Sequence, residues 1–395
     1  MKRGLALEGG GAKGAYHVGV TKAFIEKGYE FDGFVGTSIG AINAAMLAQG
    51  DFDKALELWM SISLDQMFTE EEQLFLRLRD LGLNTETISS VRGTLPKIIS
   101  NQGVSTKKMM ELLNKYIDEE KIRASGKDFG LVTISISERK AYELMLDEIP
   151  RGKLIHYIMA SSSLPGFSPV TIEGKRHIDG SFYNNCPVNL LDKLGYDEII
   201  AIRTNALGVV YSKMYKMENV KLISPKEGLG SLMQFSSESS FANIRLGYYD
   251  GLRFIENLRG SYYYVRPVEA DVCNGQLMAL SDDTILEIGK TLGLSGTVGK
   301  RTLFERIIPS LSTYLKLGKD FDYVDFMIAL LEQKAKQKKI ERFQVYDYSQ
   351  LCALVKKELL SSAKTTKRPT GPLPLFRKET AVELLINHLF SRFTG

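Results

Sequence analysis

The most constraining feature of this sequence is a strand, a glycine-rich turn and a helix that occur twice within the first 60 residues. Gly4–Leu7 is a short apolar segment that ends at three glycines, and a helical pattern follows over Ala15–Lys27. Phe31–Val35 then leads into the turn Gly36–Gly40 and a small-residue helix over Ala41–Gln49. Two such units in succession predict an α/β fold with a mostly parallel sheet flanked by helices.

The hydrophobic pattern divides the rest of the chain into a part with strand signals and a part with helical periods. Strand signals continue to a last predicted strand at Tyr262–Val265, and helical periods dominate beyond it. We therefore predict an α/β domain over 1–265, with its motifs in 4–205, and a mainly helical region over 266–395. An inserted helical layer is expected over 51–125, and a proline-rich linker near 365–375.

Two β-hairpins and one buried strand are predicted after the helical insertion. The first hairpin turns at Glu138–Arg139 and the second at Gly174, because strand-like segments flank each of these turn residues. Glu198–Arg203 is rich in β-branched residues and is predicted to be a buried strand.

Composition narrows the class of protein. The 395 residues are 44% hydrophobic and 25% charged, which indicates a folded protein with a substantial core. The 51 basic and 47 acidic residues give a net charge of +4, too balanced for a general nucleic-acid binder. Ten basic residues lie within 334–368 against three acids. We expect a solvated helix face there, with contact to an anionic membrane as the alternative.

The cysteines and the apolar segments indicate the compartment. Cys186, Cys273 and Cys352 are far apart and form no zinc-like pattern, so we expect free thiols in a reducing compartment and no metal site. The start of the chain is too short before its glycines for a signal peptide, and no apolar stretch is long enough to span a membrane. We expect a cytoplasmic protein, with peripheral contact at the inner membrane surface as an option.

Ser38 is the strongest candidate nucleophile. It lies in Gly36-Thr37-Ser38-Ile39-Gly40, directly after a predicted strand and before a helix, which is the setting of a nucleophile elbow. Gly36 and Gly40 permit the sharp turn, and the helix N-terminus favours developing negative charge. A purely structural turn with an N-capping serine is the alternative.

The glycine-rich loop after the first strand predicts an anion-binding site made of backbone amides. In an acyl transfer these amides, with that of Ile39, form an oxyanion hole. The loop residues are Gly9, Gly10, Gly11, Ala12, Lys13 and Gly14. A dinucleotide site is the competing interpretation, with Asp32 as the ribose ligand. A Walker A loop is excluded because Lys13 precedes Gly14.

Two residues compete as the base for Ser38. His177 lies two residues before Asp179 at the end of a predicted strand, so the two share one face. Asp179-Gly180 follows that strand at the edge where α/β active sites collect. The other histidines, His17, His156 and His388, are expected to be structural.

Taken together, these motifs resemble those of patatin-like phospholipases. The resemblance rests on Gly9–Gly14, Gly36–Gly40, Ala160–Pro165 and Asp179–Ser181, which occur in the family's order and approximate spacing. Similarity covers about residues 4–205. Two positions depart from the usual pattern: Ser181 stands where the family has Gly or Ala, and Lys13 where Arg is frequent.

The resemblance implies a three-layer α/β/α domain that hydrolyses acyl esters of phospholipids or related lipids through an acyl-serine. It implies Ser38 as nucleophile, Asp179 as base, the glycine loop with Ile39 as oxyanion hole, and Gly36, Gly40 and Gly180 as turn glycines. It implies no metal, no nucleotide and no catalytic histidine. A general carboxylesterase, a dinucleotide-binding oxidoreductase and a non-catalytic lipid-binding protein remain the alternatives.

Overall fold

The computed structural model describes residues 1–70, 72–73, 103–164, 166–296, 299–362 and 374–391. The chain forms two compact units, Met1–Leu252 and Arg253–Gly395. The domain boundary predicted near residue 265 stays a prediction. None of the described helices is long and apolar enough to cross a bilayer.

The first unit is built on one eight-stranded sheet. Its strands are β1 Arg3–Leu7, β2 Gly33–Gly36, β3 Asp128–Ser135, β4 Lys140–Met145, β5 Val170–Ile172, β6 Lys175–Asp179, β7 Glu198–Ile202 and β8 Val220–Ile223. The order is β5-β6-β3-β2-β1-β7-β8, with β4 paired to β3. The pairs β3–β2, β2–β1, β1–β7 and β7–β8 are parallel. The pairs β3–β4, β3–β6 and β5–β6 are antiparallel. The predicted α/β class with a mostly parallel sheet is confirmed.

Helices flank this sheet. They are α1 Ala15–Glu26, α2 Ile39–Ala48, α3 Phe52–Ser61, α4 Leu64–Met67, α5 Lys107–Tyr116, α6 Glu119–Ala124, α7 Leu154–Ser161, α8 Val188–Asp192 and α9 Ser237–Ile255. Helix α2 packs on β1, β2 and β3, and α8 packs on β1, β2 and β7. Consecutive residues of β1 and β7 are buried, as expected for a sheet covered on both faces. Helices α3 to α6 belong to the predicted insertion, of which 74–102 lie outside the described residues.

Both predicted hairpins are confirmed. Strands β3 and β4 pair across a turn in which Arg139 has a φ of 53°, and β5 and β6 pair across Gly174, with a φ of 77°. Strand β8 was not predicted. Its sequence, Val-Lys-Leu-Ile, is buried only at the two ends, so it lacks the alternation that identifies a strand.

The register of β3 brings two strand ends together. Strand β4 pairs with β3 over Gly130–Ser135, so β2 and β6 both pair with the opposite edge. Strand β2 runs parallel and ends at Gly36, beside Leu131, whereas β6 runs antiparallel and ends at Asp179, beside Thr133. The carboxyl ends of β2 and β6 therefore point at each other along one edge of β3.

The second unit is mainly helical, as predicted. Its elements are β9 Tyr264–Val265, α10 Ala270–Met278, α11 Asp282–Thr291, α12 Gly299–Thr302, a π-helical turn Leu303–Ile307, α13 Ile308–Tyr314, α14 Tyr323–Gln337, β10 Val345–Tyr346, α15 Tyr348–Ser362 and α16 Pro374–Phe390. Tyr263, Phe326, Leu331, Leu351 and Ile386 are among the fully buried residues of its core.

Two expectations about this unit change. The strand predicted at Tyr262–Val265 is only two residues long, and β10 follows it and pairs with it in parallel. Lys334 belongs to the basic run expected on a solvated face, but it is buried and pairs with Glu383 at 2.6 Å. Most of the predicted linker, 365–373, lies outside the described residues.

Candidate active site

Ser38 occupies a strained turn between β2 and α2. Its φ and ψ are 56° and −128°, a region that residues with a side chain rarely adopt. The Ser38 amide donates a hydrogen bond to Ser161 Oγ at 3.0 Å. A Cβ on Gly36 would lie 2.2 Å from the Gly40 backbone, so the turn needs glycine there. Surrounding contacts therefore hold a strained serine at the start of a helix, as the elbow pattern predicts.

Asp179 lies at the end of β6 and is fully buried. Its amide donates to the Ser163 carbonyl at 2.8 Å, and its Oδ1 accepts the Ser181 amide at 2.8 Å. A Cβ on Gly180 would lie 2.2 Å from the Val132 carbonyl oxygen, so the turn after Asp179 is closely packed.

The second carboxylate oxygen of Asp179, Oδ2, is buried and has no hydrogen-bond partner among the residues that the structure describes. Burial raises the pKa of Asp179 to about 6, and hydrogen bonding from the Ser38 hydroxyl and from Ser181 opposes that rise. The Ser38 hydroxyl therefore lies close enough to the carboxylate to lower its pKa. Ser181, a departure from the family pattern, holds Asp179 through its backbone amide, and its side chain also lowers the pKa of Asp179.

Some backbone amides of the glycine-rich loop donate to a carbonyl of the described chain, and others do not. The amides of Gly9, Ala12 and Lys13 donate to the carbonyls of Asn185, Leu232 and Gly10, at 3.0, 2.8 and 3.2 Å. Gly14 closes the short 3-10 helix Gly11–Gly14. Among the residues that the structure describes, none accepts a hydrogen bond from the amides of Gly10, Gly11 or Ile39. These three amides are the members of the predicted oxyanion set that have no carbonyl acceptor in the described chain.

The loop is supported by residues to which sequence reasoning gave no role. Buried Glu8 accepts hydrogen bonds from Arg203 Nη2 at 2.7 Å and from the Thr204 amide at 2.6 Å. The Thr204 hydroxyl donates to the Gly9 carbonyl at 2.7 Å. Asn185 accepts the Gly9 amide with its side-chain Oδ1 at 3.1 Å.

The histidines are placed away from the reacting pair. His177 is buried on β6, with its ring near those of Tyr142 and Tyr157, and burial lowers its pKa. In the described residues, no hydrogen bond joins His177 to Ser38 or Asp179. Burial lowers the pKa of His17 to about 3, and its Nδ1 lies 3.2 Å from the Asn43 amide nitrogen.

Asp32 cannot serve as the ribose ligand of a dinucleotide site. Its carboxylate accepts the Arg3 amide at 2.9 Å, at the amino end of β1, whereas the glycine loop follows the carboxyl end. Five strand residues separate the two ends, roughly 16 Å. A dinucleotide-binding acid must instead lie beside the glycine loop, so the alternative based on Asp32 is wrong.

Ser38 is one of the residues that line an apolar cleft with a cavity volume of about 60 Å³. Its walls come from α2, from the helices of the insertion, and from the segments after α7 and before α9. They include Ile42, Leu58, Trp59, Met67, Phe68, Leu113, Phe167 and Phe235. Trp59 stacks on Phe235 with ring centroids 6.1 Å apart, and Phe68 contacts Phe167 at 5.5 Å. An elongated apolar group attached to the carbon that Ser38 reaches would find an apolar environment here.

Comparisons with known proteins agree with this arrangement. A patatin-like phospholipase domain-containing protein of Caenorhabditis elegans is 29% identical over 204 residues, covering 50% of this chain and 13% of that protein. A lysophospholipase of Aspergillus fumigatus is 26% identical over 302 residues, covering 73% of this chain and 18% of that protein. The chain thus spans less than a fifth of the length of these relatives.

Among solved structures, VipD from Legionella pneumophila aligns with a TM-score of 0.42 and 14% identity, covering 100% of this chain and 92% of that one. The family model described as Patatin-like phospholipase matches residues 5–192, a range that contains Ser38, Asp179 and the whole glycine loop. The chain therefore carries a domain of the patatin-like phospholipase family over these residues.

Proposed function

We propose that this protein is a serine acyl hydrolase that cleaves acyl esters of phospholipids or related lipids. One observation carries the proposal: a strained serine that lines an apolar cleft lies beside a buried carboxylate, one oxygen of which has no hydrogen-bond partner among the described residues. The family membership of residues 5–192 supports lipid esters as the substrate class.

In the first half of the proposed reaction, Ser38 Oγ attacks the ester carbonyl carbon. The serine proton passes to Asp179 Oδ2, the oxygen that no protein group occupies. Negative charge develops on the carbonyl oxygen, where the amides of Gly10, Gly11 and Ile39 donate hydrogen bonds to it. The intermediate collapses to an acyl-serine as the leaving alcohol takes the proton from Asp179.

In the second half, water attacks the acyl-serine. Asp179 accepts a proton from that water and returns it to Ser38 Oγ, which releases the fatty acid and restores the enzyme. The raised pKa of Asp179 suits this role because a carboxyl group that titrates near 6 is ionised at neutral pH and more basic than an exposed one.

The same pair of residues also fits a general carboxylesterase. The apolar lining of the cleft favours an acyl chain over a short soluble ester, since burial of each methylene contributes about 0.8 kcal/mol. Rates on esters of increasing chain length separate the two functions. A lipid hydrolase gains in kcat/KM with chain length, and a general esterase does not.

The test is fatty acid release from phospholipid vesicles by the wild type, Ser38→Ala and Asp179→Asn. We expect each variant to lose about 10³-fold or more in rate while retaining its circular dichroism spectrum. His177→Gln is the matched control and should retain most of its activity. Turnover by either site variant at the wild-type rate would contradict the proposal.

A further inference from the structure

An exposed apolar surface lies directly beside the candidate active site. It is formed by the segment after Asp179 and by the loop that follows β7, and we call it the apolar ridge. Its members and their exposed fractions are Phe182 52%, Tyr183 41%, Leu207 96%, Val209 45% and Tyr211 39%. A cluster of this kind is uncommon on a monomer and marks an interaction surface.

The two halves of the ridge are joined by backbone hydrogen bonds. The Val209 amide donates to the Ser181 carbonyl at 2.8 Å, and the Asn185 amide donates to the Val209 carbonyl at 2.7 Å. The rings of Tyr183 and Tyr211 also meet edge to face at 6.1 Å. The side chain of Leu207 thus projects from a loop that is held in place.

The ridge is also continuous with the catalytic groups. The Ser181 carbonyl accepts the Val209 amide, and the Ser181 amide donates to Asp179 Oδ1 at 2.8 Å. Asn185, which donates to Val209, accepts the Gly9 amide of the glycine loop. The ridge is therefore connected through two hydrogen-bonded residues, Ser181 and Asn185, to Asp179 and to the glycine loop.

Exposed lysines flank the ridge. Lys213 and Lys216 are exposed on the same loop, and neither has an acidic partner in the part of the chain that the structure describes. The acid within 204–219 is Glu218, and Glu143, which lies near Tyr211, is paired with Lys193 at 3.6 Å. Lysines next to exposed aliphatic and aromatic side chains complement an anionic bilayer, whose headgroups attract the cations while its acyl region takes up the apolar groups.

We propose that the apolar ridge docks onto the surface of an anionic phospholipid bilayer and delivers lipid esters to Ser38. This inference rests on the proposed function for its choice of partner, but it concerns binding and not chemistry. Leu207 is the residue expected to insert deepest, because its side chain is almost fully exposed in the free protein.

Binding is measured in the Ser38→Ala background, so that hydrolysis does not change the vesicles. The probe is a vesicle of phosphatidylcholine and phosphatidylserine, and the readout is co-flotation. We expect Leu207→Ser to weaken binding about tenfold and Leu207→Ser with Phe182→Ser about a hundredfold. Leu194→Ser is the matched control, since Leu194 is 42% exposed and precedes the amino end of β7, at the opposite edge of the sheet.

A second measurement separates binding from chemistry. With Ser38 intact, Leu207→Ser should hydrolyse a water-soluble short-chain ester at the wild-type rate and vesicle lipid about tenfold more slowly. If the wild type hydrolyses no ester but Leu207→Ser still weakens flotation, the proposed function fails and the docking surface is supported.

Four outcomes would overturn the inference. One is that the Ser38→Ala protein does not float with the vesicles. Another is that Leu207→Ser, made in the Ser38→Ala background, floats as well as Ser38→Ala alone. The third is that Leu194→Ser loses binding equally. Self-association that Leu207→Ser abolishes, without vesicle binding, would assign the ridge to a second copy of the chain and would also overturn it.

Discussion

Two buried carboxylates, one in each compact unit, have opposite surroundings. Glu332 on α14 points one oxygen, Oε1, at the amides of Ser261, Tyr262 and Tyr263, at 2.8, 2.7 and 2.7 Å. Asp179 on β6 receives one backbone amide at Oδ1, and its Oδ2 has no partner. Burial raises the pKa of both groups.

The difference indicates which of the two carboxylates is available to interact with a substrate. Three backbone amides satisfy Oε1 of Glu332, so this residue fixes the segment before β9 against α14. Within the described part of the chain, Asp179 keeps a buried acceptor, Oδ2, without a hydrogen-bond partner, at a cost in folding free energy. A buried group that is kept unsatisfied beside a strained serine is typical of a site that awaits a substrate.

The largest expected effect on stability comes from removing Glu332. Glu332→Ala removes the carboxylate oxygen that accepts three backbone amides, of which that of Tyr263 is buried, and we expect a loss of about 3–5 kcal/mol in the free energy of unfolding. Glu332→Gln, which retains an acceptor oxygen, should lose less. Urea unfolding, with hydrogen exchange at the amides of 261–263, measures both.

Asp179→Asn tests the stability effect of the second buried carboxylate, for comparison with Glu332→Ala. The raised pKa of Asp179 means that its ionised form opposes folding above about pH 6, so the neutral amide should cost little stability at pH 7.5. If Asp179→Asn destabilises the protein as much as Glu332→Ala does, the distinction between the two carboxylates is wrong.

A smaller effect, on kcat/KM, is expected when the pH is lowered. Asp179 must be ionised to accept the serine proton, so kcat/KM on a soluble ester should fall below pH 6, about tenfold per unit. His177→Gln should keep this acidic limb, since Asp179 and not the imidazole titrates. Disappearance of the limb in His177→Gln would make the histidine the base.

The smallest effect concerns the backbone of Ser38. Because its φ of 56° is unfavourable for any residue with a Cβ, Ser38→Gly should be more stable than Ser38→Ala by about 1 kcal/mol. Both variants are expected to be inactive. Thermal unfolding of the pair tests this, and a glycine variant less stable than the alanine variant would show that the turn carries no strain.

Local sequence was sufficient to predict the elements around the candidate site. Ser38 between β2 and α2, and Asp179 at the end of β6, were both located from glycines and strand patterns. Their meeting could not be predicted, because it depends on β3 pairing with β2 and β6 along one edge. That register is set by long-range packing, which short-range patterns do not encode.

Buried charge was the other property that sequence did not reveal. Glu332 and Lys334 lie in a run of charged residues that reads as solvent-exposed, yet both are buried with partners distant in sequence. The same holds for Glu8, whose partners Arg203 and Thr204 are nearly 200 residues away. Exposed Leu207 carried no signal either, because only the fold shows that nothing covers it.

The central claim is that Ser38 is a nucleophile activated by Asp179. Intact-mass measurement after treatment with a fluorophosphonate tests it directly in the wild type, Ser38→Ala and Asp179→Asn. We predict one adduct per wild-type chain, none on Ser38→Ala, and strongly slowed labelling of Asp179→Asn. An adduct on Ser38→Ala, or a wild type that releases fatty acid but takes no label, would contradict the account.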